Sequence, residues 1–151
     1  MTEPEIMEMP AGRALDILIA EQVLGWMPEQ GGWHAQQEDG KIVWISADTR
    51  FPFSTEIFAA WDVVLATRKR DWWWQIESHH GKDGGWQGSV WTDHKSDPEE
   101  TRAICWDAET PQLAICRAAL LGAMNLRMLN PAPPPHTTSS PSASPSPPTR
   151  S

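Results

Sequence analysis

Three consecutive tryptophans, Trp72 to Trp74, constrain the fold of this chain more than any other segment. They lie in the stretch "DWWWQIES", whose composition is typical of a β-strand. Because successive side chains of a strand point to opposite faces, three indoles in a row cannot share one face. The alternation predicts that Trp72 and Trp74 are buried, and that Trp73 points with Gln75 and Glu77 to a face of mixed polarity. The pattern therefore favours a sheet with apolar cover on both faces, at least at one end.

Other segments also have strand character. Together with the tryptophan run, the segments typical of strands are 33–37, 41–46, 71–78, 85–92 and 101–107. The first two flank Glu38-Asp39-Gly40, which is a hairpin turn signal, and the other three follow one another as a meander. Strands joined by such short loops are antiparallel. We expect Trp91 and Cys105 on the mixed face with Trp73, and Trp106 in the core.

Three segments have the apolar periodicity of helices: 12–25, 55–69 and 111–128. Gly25 suits the end of the first, Ser54 is placed as the N-cap of the second, and Thr110 with Pro111 suits the start of the third. In the second helix the predicted buried stripe is Ile57, Ala60, Trp61 and Val64, widened by Phe58 and Leu65. This order of elements predicts an α+β protein, a three-layer α/β/α sandwich with a mainly antiparallel sheet and three main helices.

The two ends of the chain differ in composition from the middle. Residues 1–10 are predicted to be an N-terminal extension, residues 11–129 the folded domain, and residues 130–151 a disordered tail. Eight of the last 21 residues are proline, six are serine and three are threonine, so this segment has little apolar surface to bury. The tail is interpreted as a plain extension, a linker or a proline-rich ligand with polyproline II character.

The net charge and the cysteine content limit the partners and the cellular compartment that we expect for this chain. The formal net charge of −8 disfavours binding to nucleic acid or to an anionic membrane. The sequence has neither a secretory leader nor an apolar run of the roughly 18 residues that span a bilayer. We therefore expect a soluble cytosolic protein whose two cysteines, Cys105 and Cys116, are reduced.

Three segments in order carry a family resemblance: "AGRALDILIAEQVLGW", "FPFSTEIFAAWDVVLATRK" and "TPQLAICRAALLGAM". They resemble the motifs of the phage ABA sandwich domain family, whose members are small proteins encoded by phages and prophages. The resemblance spans residues 12–124. The tryptophan-rich middle of that range departs from the family motifs, and the tail lies outside it. It implies an α/β/α sandwich and a place in the cytosol of a bacterial host, and it implies no established activity.

Six residues are candidates for ligand binding: Trp73, Trp91, Trp33, His79, His80 and Arg117. Rings on a mixed sheet face can stack on a ligand, and Trp33 lies in a glycine-rich segment that predicts exposure. Arg117 falls near the apolar stripe of its helix, where a charge requires a partner. Asp16, Glu21 or an anionic ligand is the expected partner.

Histidines and carboxylates in two adjacent loops raise the question of a metal site, from His79, His80, Asp83, Asp93 and His94. Neighbouring histidines at a strand end point apart, and no pair has helical spacing. A polar loop is therefore the favoured interpretation, and we assign neither a metal nor a cofactor. Cys116 lies on an apolar helical stripe, which favours burial over a nucleophilic role.

Three functions remain open at this stage. The favoured one is a non-catalytic accessory protein that binds an unknown host protein or a small anionic molecule. The first alternative is a metal-dependent hydrolase that uses the loops with His79, His80 and His94. The second alternative is an oligomeric structural or scaffold protein that associates through a sheet edge or a tryptophan patch.

Removal of the tail tests the predicted domain boundary. Truncation after Asn130 is expected to leave the melting temperature almost unchanged, because residues 131–151 contribute little apolar burial. Differential scanning calorimetry of the full and truncated chains measures this directly. A drop of several degrees would show that the tail packs on the domain.

Overall fold

Four helices and two small sheets make up the part of the chain that the structure describes. The computed structural model describes residues 1–79, 84–92 and 102–129. The helices are α1 (Glu3–Glu8), α2 (Arg13–Leu18), α3 (Ile57–Arg68) and α4 (Pro111–Leu129), and a π-helical turn, Ile19–Val23, continues α2. The strands are β1 (Met27–Glu29), β2 (Gly32–Gln36), β3 (Ile42–Ser46), β4 (Trp72–Ser78), β5 (Trp86–Thr92) and β6 (Ala103–Ala108).

Both sheets are three-stranded and antiparallel, in the orders β1-β2-β3 and β4-β5-β6. The α+β class, the hairpin and the meander are therefore confirmed, although the strands form two sheets. The predicted tail lies outside the described residues. In the part of the chain that the structure covers, no helix has the length and apolar character needed to cross a bilayer.

Helix α4 is the centre of the molecule. It begins as predicted, at Pro111, and the Thr110 hydroxyl accepts a hydrogen bond of 3.2 Å from the Leu113 N–H. Every residue from 113 to 123 is buried, because the helix contacts all three strands of the second sheet as well as α1, α2, the π-helical turn and α3. A helix that is apolar nearly all round is stable only when it is surrounded in this way.

Two glycines allow α4 to lie unusually close to the second sheet. A Cβ atom at Gly88 would approach the Ala114 carbonyl oxygen to 2.7 Å, and one at Gly122 would approach Val90 Cγ1 to 2.7 Å. Both distances are shorter than van der Waals contact allows. The inner face of the sheet therefore accepts mainly small side chains where α4 crosses it.

This close approach decides which residues of β6 point inward. Ala103 and Cys105 are buried on the inner face, whereas Trp106 on the opposite face is 51% exposed. The prediction that Trp106 is core and that Cys105 shares the mixed face with Trp73 is therefore wrong by one position of alternation. Two alternating sets of side chains in this strand are apolar, Ala103 with Cys105 and Ile104 with Trp106. The space beneath α4 accommodates only the smaller set, Ala103 with Cys105.

The alternation along β4 is as predicted. Trp72 is 6% exposed, Trp74 is half-buried, and Trp73 is 42% exposed on the opposite face. The three-layer arrangement is not confirmed, because α4 lies on the inner face while the Trp73 face stays accessible. We call the face of the second sheet that bears Trp73 and Trp91 the open face.

Helix α3 turns a different side to the core from the one predicted. Ala60 and Val64 are buried as expected, but Trp61 is 49% exposed, so its assignment to the core is wrong. The exposed apolar residues of this helix are Ile57, Phe58, Trp61 and Leu65, and its buried set is Ala60, Val63, Val64 and Thr67. The helix is apolar on nearly every side, so periodicity did not determine its orientation. The smaller residues pack inward, as in β6.

Ser54 is not the N-cap of α3, which begins at Ile57 after Glu56 and has no side-chain cap. Ser54 is buried, and its N–H donates a hydrogen bond of 2.7 Å to the Asp16 carboxylate. Its hydroxyl accepts a hydrogen bond of 2.9 Å from the Gly12 N–H. The residue therefore joins the start of α2 to the segment that leads into α3.

The N-terminal segment predicted to be an extension contains a helix, α1. Thr2 and Glu5 form a reciprocal capping box at its start, with Pro4 in the first turn. Ile6 is fully buried and belongs to the core. The capping pattern was present in the sequence, and its significance was missed because the segment is acidic and contains proline.

A methyl group at Gly88 tests the close approach of α4. Gly88→Ala is expected to lower the free energy of unfolding by about 1–3 kcal/mol, because the helix or the strand must shift to admit the Cβ atom. Urea denaturation followed by circular dichroism measures the loss. An unchanged midpoint would mean that α4 lies farther from the sheet than described.

The tryptophans of β4 provide a matched pair of substitutions. Trp72→Ala is expected to cost about 3–5 kcal/mol because it empties a core site, and Trp73→Ala less than about 1 kcal/mol. Chemical denaturation of both variants gives the comparison. Equal losses would contradict the assignment of the two rings to different faces.

Candidate functional site

The open face carries a pair of tryptophans side by side. Trp73 on β4 lies directly opposite Trp91 on β5 in the strand register. Directly opposed side chains of an antiparallel pair have Cβ atoms about 4.5–5.5 Å apart. Trp73 is exposed and Trp91 is half-buried, so together they offer one continuous aromatic surface to solvent.

Each of these indoles has an arginine over its ring. The Arg68 guanidinium lies 4.6 Å from the centre of the Trp73 ring, and that of Arg102 lies 5.3 Å from the Trp91 ring. Arg68 comes from the last turn of α3, and Arg102 comes immediately before β6. Such cation–π contacts hold guanidinium groups in fixed positions next to an aromatic surface.

Arg102 is oriented by neutral groups. It donates hydrogen bonds of 3.0 Å to the Gln75 side-chain oxygen and 3.1 Å to the Ser89 hydroxyl. Within residues 1–79, 84–92 and 102–129, neither Arg68 nor Arg102 forms an ion pair with a carboxylate. The open face thus carries two positive charges that no described carboxylate neutralises, in a chain whose net charge is −8.

A second group of side chains lies at the other end of the open face. His79 stacks on Trp106 with ring centres 6.3 Å apart, and its Nε2 lies 2.9 Å from the Gln87 side-chain oxygen. Trp106 projects here because β6 contains a bulge, in which Trp106 and Asp107 together lie opposite Gln87. Asp107, the second of the two bulged residues, has a φ angle of 55°. This value lies in the left-handed region, which aspartate adopts more readily than most residues.

These groups can bind a ligand by stacking and by charge, and they include no activated nucleophile. Burial raises the pKa of the Cys105 and Cys116 thiols, so both are held in the unreactive protonated form at neutral pH. Both cysteines are free and lie in the core. A cysteine-dependent reaction is therefore disfavoured by the position and by the protonation of the only two thiols.

The proposed metal ligands fall mostly outside the described residues. Only His79 of that group has a described position, and it contacts Gln87 and Trp106. His80, Asp83, Asp93 and His94 have none, so the metal hypothesis stays untested. Among the residues with described positions, no three histidine, cysteine or acidic side chains come together as a metal site.

Two predicted site residues lie elsewhere and have structural partners. Trp33 is buried rather than exposed, and its indole N–H donates a hydrogen bond of 2.9 Å to Glu21. Its ring packs edge-on against Phe51 at 5.3 Å. Arg117 is buried as well, and it donates hydrogen bonds of 2.7 and 3.1 Å to the Met9 carbonyl oxygen. The expected carboxylate or ligand partner of Arg117 is thus replaced by backbone.

Residues of the predicted family motifs also form a structural joint. Arg13 donates hydrogen bonds to the carbonyl oxygens of Ala47 and Thr49, at 2.8 and 2.9 Å, and lies 4.0 Å from the Phe51 ring centre. Together with the contacts of Asp16 and Ser54, these bonds fasten the start of α2 to the segment before α3. The motifs therefore serve mainly the fold, although the second of them also supplies Arg68 to the open face.

Sequence reasoning missed a cleft of about 720 Å³. Its lining includes two aromatic rings and four charged side chains: Trp26, Phe53, Glu38, Asp62, Lys69 and Arg70. Lys69 pairs with Glu38, and Arg70 donates to the carbonyl oxygens of Val23 and Leu24, so both cations are engaged. The lining comes from segments distant in sequence, and no local motif could have indicated it.

Comparison with known proteins identifies the family of this chain. No curated protein and no solved structure matches it significantly. The family model of the phage ABA sandwich domain matches residues 17–120, which include the end of α2, the π-helical turn, both sheets, α3 and the first half of α4. Since the match covers more than half of the sequence, the chain belongs to the phage ABA sandwich domain family.

Proposed function

We propose that the protein is a non-catalytic phage accessory protein of the bacterial host cytosol, and that it binds an anionic partner on the open face. One observation carries the proposal: two arginines, neither of which has a carboxylate partner among the described residues, lie over the directly paired rings of Trp73 and Trp91. A ligand with a planar ring and a negative charge fits this arrangement.

The physical basis is the combination of stacking with charge. Stacking on an indole contributes about 1–3 kcal/mol per ring. A hydrogen bond to a charged group contributes about 1.5–3 kcal/mol, and Arg102 has its orientation fixed in advance by Gln75 and Ser89. A small anionic molecule that contacts one ring and one guanidinium therefore reaches a useful affinity without deep enclosure.

A host protein is the second partner class that fits this surface. Tryptophan and arginine are the residue types most enriched among the energetically dominant contacts of protein interfaces. An acidic segment of a host protein would meet the same two rings and the same two charges. The open face, rather than a catalytic centre, is the proposed site in both cases.

Nucleoside monophosphates are suitable probes because each joins a planar ring to a phosphate. Titration with quenching of tryptophan fluorescence is expected to show saturable binding by at least one of them, and weaker binding by the uncharged nucleosides. Arg102→Gln is expected to weaken that binding about tenfold or more, as the loss of a charged hydrogen bond implies. Arg50→Gln is the matched control, since Arg50 is exposed and pairs with Glu56; equal losses in both variants would contradict the assignment.

Affinity capture from host lysate distinguishes the two partner classes. The wild-type chain and the Trp73→Ala/Arg102→Gln variant serve as paired baits, and bound proteins and small molecules are identified by mass spectrometry. A species retained by the wild type and lost from the variant identifies the partner. Identical captures would argue against the open face as the site.

A further inference from the structure

Helix α3 exposes a contiguous apolar surface that none of the described residues covers. Ile57, Phe58, Trp61 and Leu65 are all exposed, with Phe58 at 87%. Their spacing places them on one side of the helix. With aromatic side chains contributing 150–250 Å² when fully exposed, this α3 stripe presents roughly 400–500 Å² of apolar surface. A patch of that size on a soluble chain usually marks an interface.

Among the described residues, no strand pairs with the outer edge of β4, which lies beside the last turn of α3. Strand β4 is at the edge of its sheet, and α3 borders it through a hydrogen bond of 2.9 Å from the Trp74 indole to the Thr67 hydroxyl. Natural edge strands commonly carry lysine or proline to prevent pairing with another chain. The sequence of β4, WWWQIES, contains neither and is rich in residues that favour strands.

The β4 sequence is self-complementary in the antiparallel direction. When two copies pair about Gln75, Trp74 lies opposite Ile76 on the inner face, and no two like charges are opposed. On the open face, Glu77 of the second copy lies opposite Trp73, whose ring already carries Arg68 at 4.6 Å. Glu77 is exposed and bonds only to the neutral Gln75 side chain among the described contacts, so it can pair with that arginine.

We propose that the chain forms a symmetric dimer in which the β4 strands of two copies pair antiparallel about Gln75 and the two α3 stripes cover each other. The surface area is sufficient. Two stripes together with the paired strand edges bury on the order of 1,000–1,400 Å² in total, which reaches the range of specific interfaces. The same patch meets itself across a two-fold axis, as a closed dimer requires.

The dimer leaves the Trp91 and Arg102 part of the proposed anion site free and places two such pairs on one continuous sheet. Arg68 gains a carboxylate from the second copy, so Arg102 over Trp91 is the guanidinium that remains for a ligand. The dimer rests on α3 and the β4 edge, and does not depend on whether the open face binds anything.

Sedimentation equilibrium tests the dimer with a matched pair of tryptophan variants. The wild-type chain is expected at twice its mass of 16.9 kDa, with a dissociation constant on the order of micromolar. Trp61→Glu is expected to weaken association about a hundredfold while circular dichroism and the melting temperature stay near wild type. Trp44→Glu is the control, since Trp44 is 46% exposed on β3, and it is expected to remain dimeric.

A charge exchange tests the strand register. Arg68→Glu and Glu77→Lys are each expected to weaken the dimer several-fold, and the double variant is expected to restore it, since the pair is then reversed.

A monomeric wild type at hundreds of micromolar would overturn the proposal, and a dimer broken by Trp44→Glu would move the interface to the first sheet. Failure of the double variant to restore association would overturn the register. Nucleoside monophosphate titration of the Trp61→Glu monomer separates this result from ligand binding, because loss of association should leave that titration unchanged.

Discussion

The close packing of α4 against the second sheet is the constraint on which the rest of the molecule depends. Gly88 and Gly122 remove the Cβ atoms that would separate helix and sheet, and residues 113–123 are buried as a result. The remaining helices and the π-helical turn then pack around α4. Close packing gains dispersion energy from many short contacts, and it admits the large Trp72 ring only where Gly122 leaves room for it.

That constraint also explains why so many tryptophans are at the surface. Ala103, Cys105 and the small residues of α3 occupy the space next to α4, so Trp61, Trp73 and Trp106 are directed outward. A chain with ten tryptophans thus has a core built largely from alanine, leucine, isoleucine and valine. Its indoles form the open face and the α3 stripe, and the surfaces proposed for binding follow from how tightly the core is packed.

Local signals in the sequence predicted the element order, the antiparallel strands, the start of α4 and the opposite orientations of Trp72 and Trp73. Two kinds of feature were not predictable. The orientation of α3 and the alternation of β6 depend on how near α4 approaches, and hydrophobic patterning alone does not specify that distance. The partners of two site candidates depend on contacts between distant segments, since Trp33 bonds to Glu21 and Arg117 bonds to Met9. Trp73 and Trp91 were predictable as a pair because they lie on neighbouring strands of one hairpin.

The bond between Arg117 and the Met9 carbonyl has a consequence for how the molecule opens. Detachment of the N-terminal segment breaks both hydrogen bonds from Arg117 to Met9 and withdraws Ile6 from the core, which together costs on the order of several kcal/mol. The first ten residues should therefore not fray ahead of the core, as chain ends commonly do. Their amide protons are expected to exchange with solvent in the same cooperative event as those of α4, which makes the N-terminus part of the most slowly opening unit of the protein.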